Sequence, residues 1–217
     1  MATKAKGRIL PDIDVETLTE SFEEQLPSGQ ARNAIVEERA LPSLLSPRGQ
    51  PAALERCVWR RVTLSDPNAQ RLRVRDSLIQ NCDLSNIDLT GSLWERVEIT
   101  ATRVTGATYS DARFKSVLFR ECKMDFALMR MAKFENCIFE NCNLTDADFY
   151  DADLSGTIFR DCDLSRADLS HAKLRGANIR DSRLDGIRGA PSNMDGLIIS
   201  PDQAPLLITL FGVRVEW

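Results

Sequence analysis

The chain is poor in the residues that most catalysis and metal binding draw on. Among 217 residues it has one histidine, His171, two tyrosines and three tryptophans. No glycine-rich phosphate loop is present, and no stretch is long and apolar enough to span a membrane. "MATKAKGR" is basic, but no apolar run follows it, so a secretory signal is not expected. A net charge of −4 gives no basic surface overall, which argues against direct nucleic-acid binding. His171 has no obvious catalytic companion. No catalytic, cofactor-binding or metal-binding residue is expected, and the chain reads as a non-enzyme.

The chain does hold a period of five. Its six cysteines, at 57, 82, 122, 137, 142 and 162, all leave remainder two on division by five. Two residues after each stands Trp59, Leu84, Met124, Phe139, Leu144 or Leu164. From Trp59 to Leu184 none of the 26 residues in this second phase is charged. Nor is any of the 26 that lie two places earlier. In a chain that is 28% charged, about 15 charges would fall on these positions by chance. Both phases therefore face inward, one with large side chains and one with small. Five matches neither a helix face nor a flat strand. It fits a chain that turns a corner every five residues.

"CDLSN", "ADFYD", "CDLSR", "ADLSH" and "AKLRG" show the unit most clearly. The sequence here resembles the pentapeptide-repeat family. That resemblance implies an all-β fold, a right-handed quadrilateral parallel β-helix with four pentapeptides per coil. The match departs in the first coils, where Pro67 and Ala69 fit poorly. The expected organisation is an N-terminal segment over 1–53, the repeat over 54–199 and a C-terminal element over 200–217.

With four units per coil, residues twenty apart stack at about the 4.8 Å spacing of hydrogen-bonded strands. Phe119, Phe139 and Phe159 then form one column, and Trp94, Phe114 and Phe134 another. Cys82, Thr102, Cys122, Cys142 and Cys162 share a third. A straight row of parallel thiols does not converge on zinc, and its spacing is too wide for disulfides. The cysteines read as small core residues, and buried reduced thiols suit the cytoplasm.

At the N-terminus, "DIDVETLTESFEEQL" reads as a helix capped by Asp12 or Asp14, with Val15, Leu18, Phe22 and Leu26 as its apolar stripe. It would cap the first coil or lie on the rod's flank. Beyond Ile199, Ser200 and Pro201 start a capping helix, with Leu206, Leu207, Leu210 and Phe211 on its apolar side. This tail resembles that of the quinolone-resistance pentapeptide proteins, which implies a two-fold homodimer through the same element.

Function is expected on the outward phases. Leu118, Ile138 and Ile158 stack just ahead of the large core positions, flanked by Arg120 and Arg160, and form an apolar ridge. Its expected occupant is the chain itself, a second copy or a separate protein. A second apolar group, Phe126, Leu128 and Met131, also lies in outward phases. The first reading is a rigid protein-binding or scaffold module. The alternative follows from the resemblance: a partial DNA mimic that binds a type II topoisomerase such as DNA gyrase and modulates it or protects it from inhibitors. Its acidic surface would be Asp146, Asp148, Asp151, Asp153, Asp161, Asp163 and Asp168.

Overall fold

The computed structural model describes residues 9–18, 25, 29–38, 40–41, 52–64, 67–209 and 212–213. They build a parallel β-helix whose strands pair with those twenty residues on. Leu118 pairs with Ile138 and Ile138 with Ile158; Arg113 pairs with Lys133. Four faces result, and we name each by one of its strands or bridges. The first holds Lys133–Glu135, the second Ile138–Glu140, the third Asn143 and the fourth Asp148.

From Trp59 to Leu184 both inward phases are buried, including the poorly fitting Ala69, except at Pro67, which is exposed, and Leu64, which is half-buried. The rings of Phe119, Phe139 and Phe159 stack at 4.7 and 4.8 Å, within 4° of parallel. Phe114 and Phe134 stack at 4.8 Å. Coil spacing thus coincides with the stacking distance of aromatic rings, so each ring fills the layer above the last. All six cysteines are free and buried. Their thiols donate to backbone carbonyls, as from Cys122 to the Ile99 oxygen at 3.3 Å. Burial pushes the Cys57 thiol up to about 11 and raises that of Cys82. In the column of three, Cys142 has an S–H neighbour on each side and is the thiol that ionises first. A chromogenic disulfide reagent at mildly alkaline pH should therefore leave the native thiols largely unreacted and count six in denaturant.

Tyr109 is fully buried among Trp94 and Phe114, and its hydroxyl has no hydrogen-bond partner among the described residues. An unmet buried hydroxyl costs about 1–3 kcal/mol. Tyr109→Phe should therefore raise stability, by about 1 kcal/mol in a denaturant melt.

The β-helix starts earlier than the five-residue phase announces. Gln30–Arg32, Ile35–Glu37 and Ala40–Leu41 pair in parallel with Ala53–Glu55, Val58–Arg60 and Thr63–Leu64. Here the offset is 23, Gln30 facing Ala53, rather than the 20 found further on. Ala31, Val36 and Leu41 are buried five apart, but the three extra residues displace them from the later phase. The boundary at 53 therefore falls inside the paired region.

The N-terminal helix is corrected in its first part only; Gln25, further on, is helical. Asp14 caps a single 3-10 turn, Val15–Thr17, which ends at an extended Leu18. Phe22 and Leu26 lie outside the described residues. Among the described residues the segment touches the rod through Gln25 and through Asp12. The Gln25 side chain bonds both backbone groups of Arg32, accepting from N at 2.6 Å and donating to O at 3.2 Å. It thereby supplies the open edge of the first coil with a surrogate strand. Further along the chain's path the Asp12 amide donates to Asp76 at 3.0 Å.

Asp76 is buried and held at both oxygens by Arg96, at 2.6 and 2.7 Å. Burial raises its pKa, but the bonds from Arg96 and the Asp12 amide outweigh this and leave it lowered. Glu140, between Arg120 and Arg160, is lowered in the same way. A depressed carboxylate contributes stability that is present above its unfolded pKa and is lost as pH falls through the folded one. Melting temperature should accordingly hold steady down to about pH 4 and decline below it, less steeply in Asp76→Asn.

Candidate functional site

The repeat fixes which side chains reach solvent. Asp or Asn ahead of the large core residue accepts a hydrogen bond from the amide two places on: Asp148 from Tyr150 at 2.9 Å, Asp168 from Ser170 at 2.9 Å. These are Asx turns, and in the repeat they account for Asp83, Asp88, Asp148, Asp153, Asp163 and Asp168 as backbone caps. Two residues past each core residue the chain turns with positive φ. Gly, Asn and Asp tolerate that conformation; larger side chains do so at a cost of about 1–2 kcal/mol.

Two consecutive corners break the pattern. Phe126 (φ 58°) and Met131 (φ 57°) stand at either edge of the fourth face, with Leu128 between them. They are 57%, 45% and 40% exposed. None of the other 21 described non-glycine corners carries a large apolar side chain. The patch continues onto the next coil. Tyr150 is 39% exposed, and its carbonyl accepts from the Met131 amide at 3.0 Å. The Arg130 guanidinium lies 5.6 Å from the Tyr150 ring and binds Asp148 at 2.6 Å. His171, exposed at a corner, meets the other side of Tyr150 at 5.1 Å, edge to face. Sequence reasoning found Phe126, Leu128 and Met131 but missed Tyr150; the twenty-residue stack that places it above Arg130 was the available signal.

The aliphatic ridge is not available in this way. Leu118 and Ile138 are only 2% and 6% exposed within the single chain, and Ile158 is half-buried. Stacked at strand spacing they shield one another. Beside them Glu140 ties Arg120 at 2.8 Å to Arg160 at 2.7 Å in one row. The N-terminal segment is pinned to Asp76, at the corner leading into this face, with Pro11, Ile13, Val15 and Leu18 half-buried. Of the three occupants expected for the ridge, burial within the single chain fits the chain itself; phase identifies the outward direction and not what lies over it.

The seven aspartates do not form one surface. A stretch of twenty residues circles the rod, so Asp153 lies on the first face, Asp163 on the third, and Asp148 and Asp168 on the fourth. Asp146, Asp151 and Asp161 stand at three corners. Five are engaged by cations: Asp146 by Arg166, Asp148 by Arg130, Asp153 by Lys173, Asp163 by Arg183 and Asp168 by Arg188.

At the C-terminal end, Ser200 precedes a 3-10 turn, Pro201–Gln203, and the helix Ala204–Thr209. Leu207 is buried against the core and Leu206 packs on it half-buried. Leu210 and Phe211 lie outside the described residues. Gln203, unnoticed in the sequence, is the centre of the cap: its amide donates to the Ile179 and Ser182 carbonyls at 2.9 and 2.7 Å. Among the described residues no three His, Cys, Asp or Glu side chains are grouped to hold a metal. No described helix is long and apolar enough to cross a membrane.

Residues 132–198 match the pentapeptide repeat region family. Among solved structures the chain is similar to HetL of the cyanobacterium Nostoc sp. strain PCC 7120, a pentapeptide repeat protein involved in regulating heterocyst differentiation. The two are 18% identical over 73% of this chain and 84% of HetL, with a TM-score of 0.51. It is also similar to QnrB1, a plasmid-mediated fluoroquinolone resistance protein, at 20% identity over 86% of this chain and 90% of that one, with a TM-score of 0.47. No curated protein sequence matches the chain.

Proposed function

We propose that this chain, whose residues 132–198 match the pentapeptide repeat region family, is a rigid, non-catalytic rod that docks a protein partner through Phe126, Leu128 and Met131. One observation carries the reading: the two large apolar corner residues are consecutive, exposed, and sit in a backbone conformation that disfavours them. Nothing in the core needs them there, since Ala127 and Met129 supply the inward positions of that unit. Exposed apolar groups clustered on an otherwise polar rod are the mark of an interface. The stacked core keeps the corners fixed, so little ordering entropy opposes docking. Buried, free thiols suit a reducing cytoplasm as the place of action.

A photo-crosslinking residue placed at Leu128 should trap a discrete protein adduct in cells, while the same residue at Ser155 should not. Equal trapping at both positions would refute the docking site. Partial DNA mimicry of a type II topoisomerase is the weaker reading. DNA presents one charge per about 1.7 Å, whereas five of the seven candidate aspartates are neutralised by partners. Purified chain is accordingly expected to leave gyrase supercoiling unchanged.

A further inference from the structure

Along most of the rod, charged ladders alternate in sign: Arg75 lies beside Glu95, Lys115 beside Glu135, Glu140 beside Arg160. Only two bridged pairs of described residues set cation against cation. They are Arg103 with Lys123, and Arg113 with Lys133. All four are exposed, and none makes an ion pair among the described residues. Like charges in direct register are unfavourable. The one like-charged anion pair in register is Asp148 with Asp168, each held by an arginine, whereas the two cation pairs stand at the same height without such a partner among the described residues.

That height is the coil of the apolar patch. Arg103 and Lys123 lie on the third face, where they help bound an open groove of about 560 Å³. Arg113 and Lys133 lie on the first face. The fourth face runs between them, with Phe126 at one edge and Met131 at the other. Unpaired cations therefore flank the apolar group on both sides. Carboxylates are also close by: Asp83 is in register with Arg103 and Asp153 with Lys133, and Glu121 lines the groove. Asp125 accepts from the Thr105 hydroxyl and Asp148 is held by Arg130; Asp111 and Asp151 stand beside Met131 in its corner column.

Taking the docking role of Phe126, Leu128 and Met131 as given, we infer that the partner presents an acidic protein segment whose apolar side chains meet the patch while its carboxylates reach the two cation pairs. Such an arrangement steers the encounter and fixes orientation. Four exposed cations together should contribute on the order of tenfold in affinity at low salt, less as salt screens them.

The test is selection of a phage-displayed library of random peptides on the full chain. Two variants serve as controls: one with Phe126→Asn, Leu128→Ser and Met131→Asn, the other with Arg103, Lys123, Arg113 and Lys133 all changed to Ser. The expected peptides combine Asp or Glu with Phe, Leu or Ile. They should bind both variants at least about tenfold more weakly in fluorescence anisotropy, and lose affinity with added salt. Peptides that need the apolar patch but are neutral or basic would overturn the acidic partner and leave the docking site standing. Failure to enrich anything over the apolar variant would overturn both. A single-stranded oligonucleotide that binds through the four cations, with no dependence on Phe126, would overturn the choice of a protein segment.

Discussion

Phe139→Asp should leave the chain without a stable β-helix. Phe139 is fully buried between Phe119 and Phe159, stacked on both at 4.7 and 4.8 Å. Its removal forfeits about 1.5–3 kcal/mol of burial and about 0.5–1.5 kcal/mol for each ring contact. The carboxylate left in its place costs several more kcal/mol, or must be protonated. The sum approaches the whole stability of an ordinary domain, about 5–15 kcal/mol. Circular dichroism should lose the cooperative transition. The neighbouring Glu140→Lys should be far milder, yet not silent. Phase alone makes Glu140 a plain surface residue. The structure sets it between Arg120 and Arg160, so lysine there makes three cations in a row, at a cost of about 1–2 kcal/mol. Similar losses from the two variants would contradict the inward and outward assignment.

Gln203→Leu is expected to produce the second largest effect. The last complete coil offers carbonyls at Ile179 and Ser182 with no further coil to receive them. The Gln203 amide nitrogen meets both, while its oxygen accepts from the Ser200 amide at 2.9 Å. Leucine preserves the volume and deletes all three bonds. Each buried group so orphaned costs about 1–3 kcal/mol, so a total near 3–6 kcal/mol is expected in denaturant melts. Hydrogen exchange should quicken first in the coil containing Ile198, whose amide bonds the Ala177 carbonyl. A loss under about 1 kcal/mol would mean that water replaces the glutamine and that the cap does not depend on it. At the other end Gln25 plays the corresponding part for Arg32, but these bonds are exposed to solvent and the effect of losing them should be smaller.

The core was legible in the sequence because the repeat is strict: a single arithmetic phase assigns the large and small inward residues from Leu72 to Leu184, and falters only before them, at the half-buried Leu64 and the exposed Pro67. Ring columns and buried thiols follow from the same phase. The first coil was hidden because a 23-residue offset shifts Ala31, Val36 and Leu41 out of phase, although their own spacing is still five. Neither capping glutamine gave a signal, since a side-chain amide that meets a coil edge has no periodicity and its partners are distant in sequence. The aspartates misled in the opposite sense: nearness along the chain looked like a surface, but one circuit of the rod scatters them. Phase located the ridge but left its occupant open among three, because phase is blind to what covers a face. Phe126, Leu128 and Met131 were found by phase; their left-handed corners and the cations beside them needed the structure.

The central claim is that Phe126 and Met131 serve binding and not folding, and one thermal melt addresses it. The double variant Phe126→Asn, Met131→Asn places at both corners a residue that the chain already uses at Asn81, Asn86, Asn136 and Asn141 with the same positive φ. Asparagine accepts that conformation more readily than phenylalanine or methionine, and the lost side chains are exposed. The melting temperature is therefore expected to stay level or rise. A fall equivalent to more than about 1 kcal/mol would show the two side chains to be part of the rod's own packing, and would contradict the account.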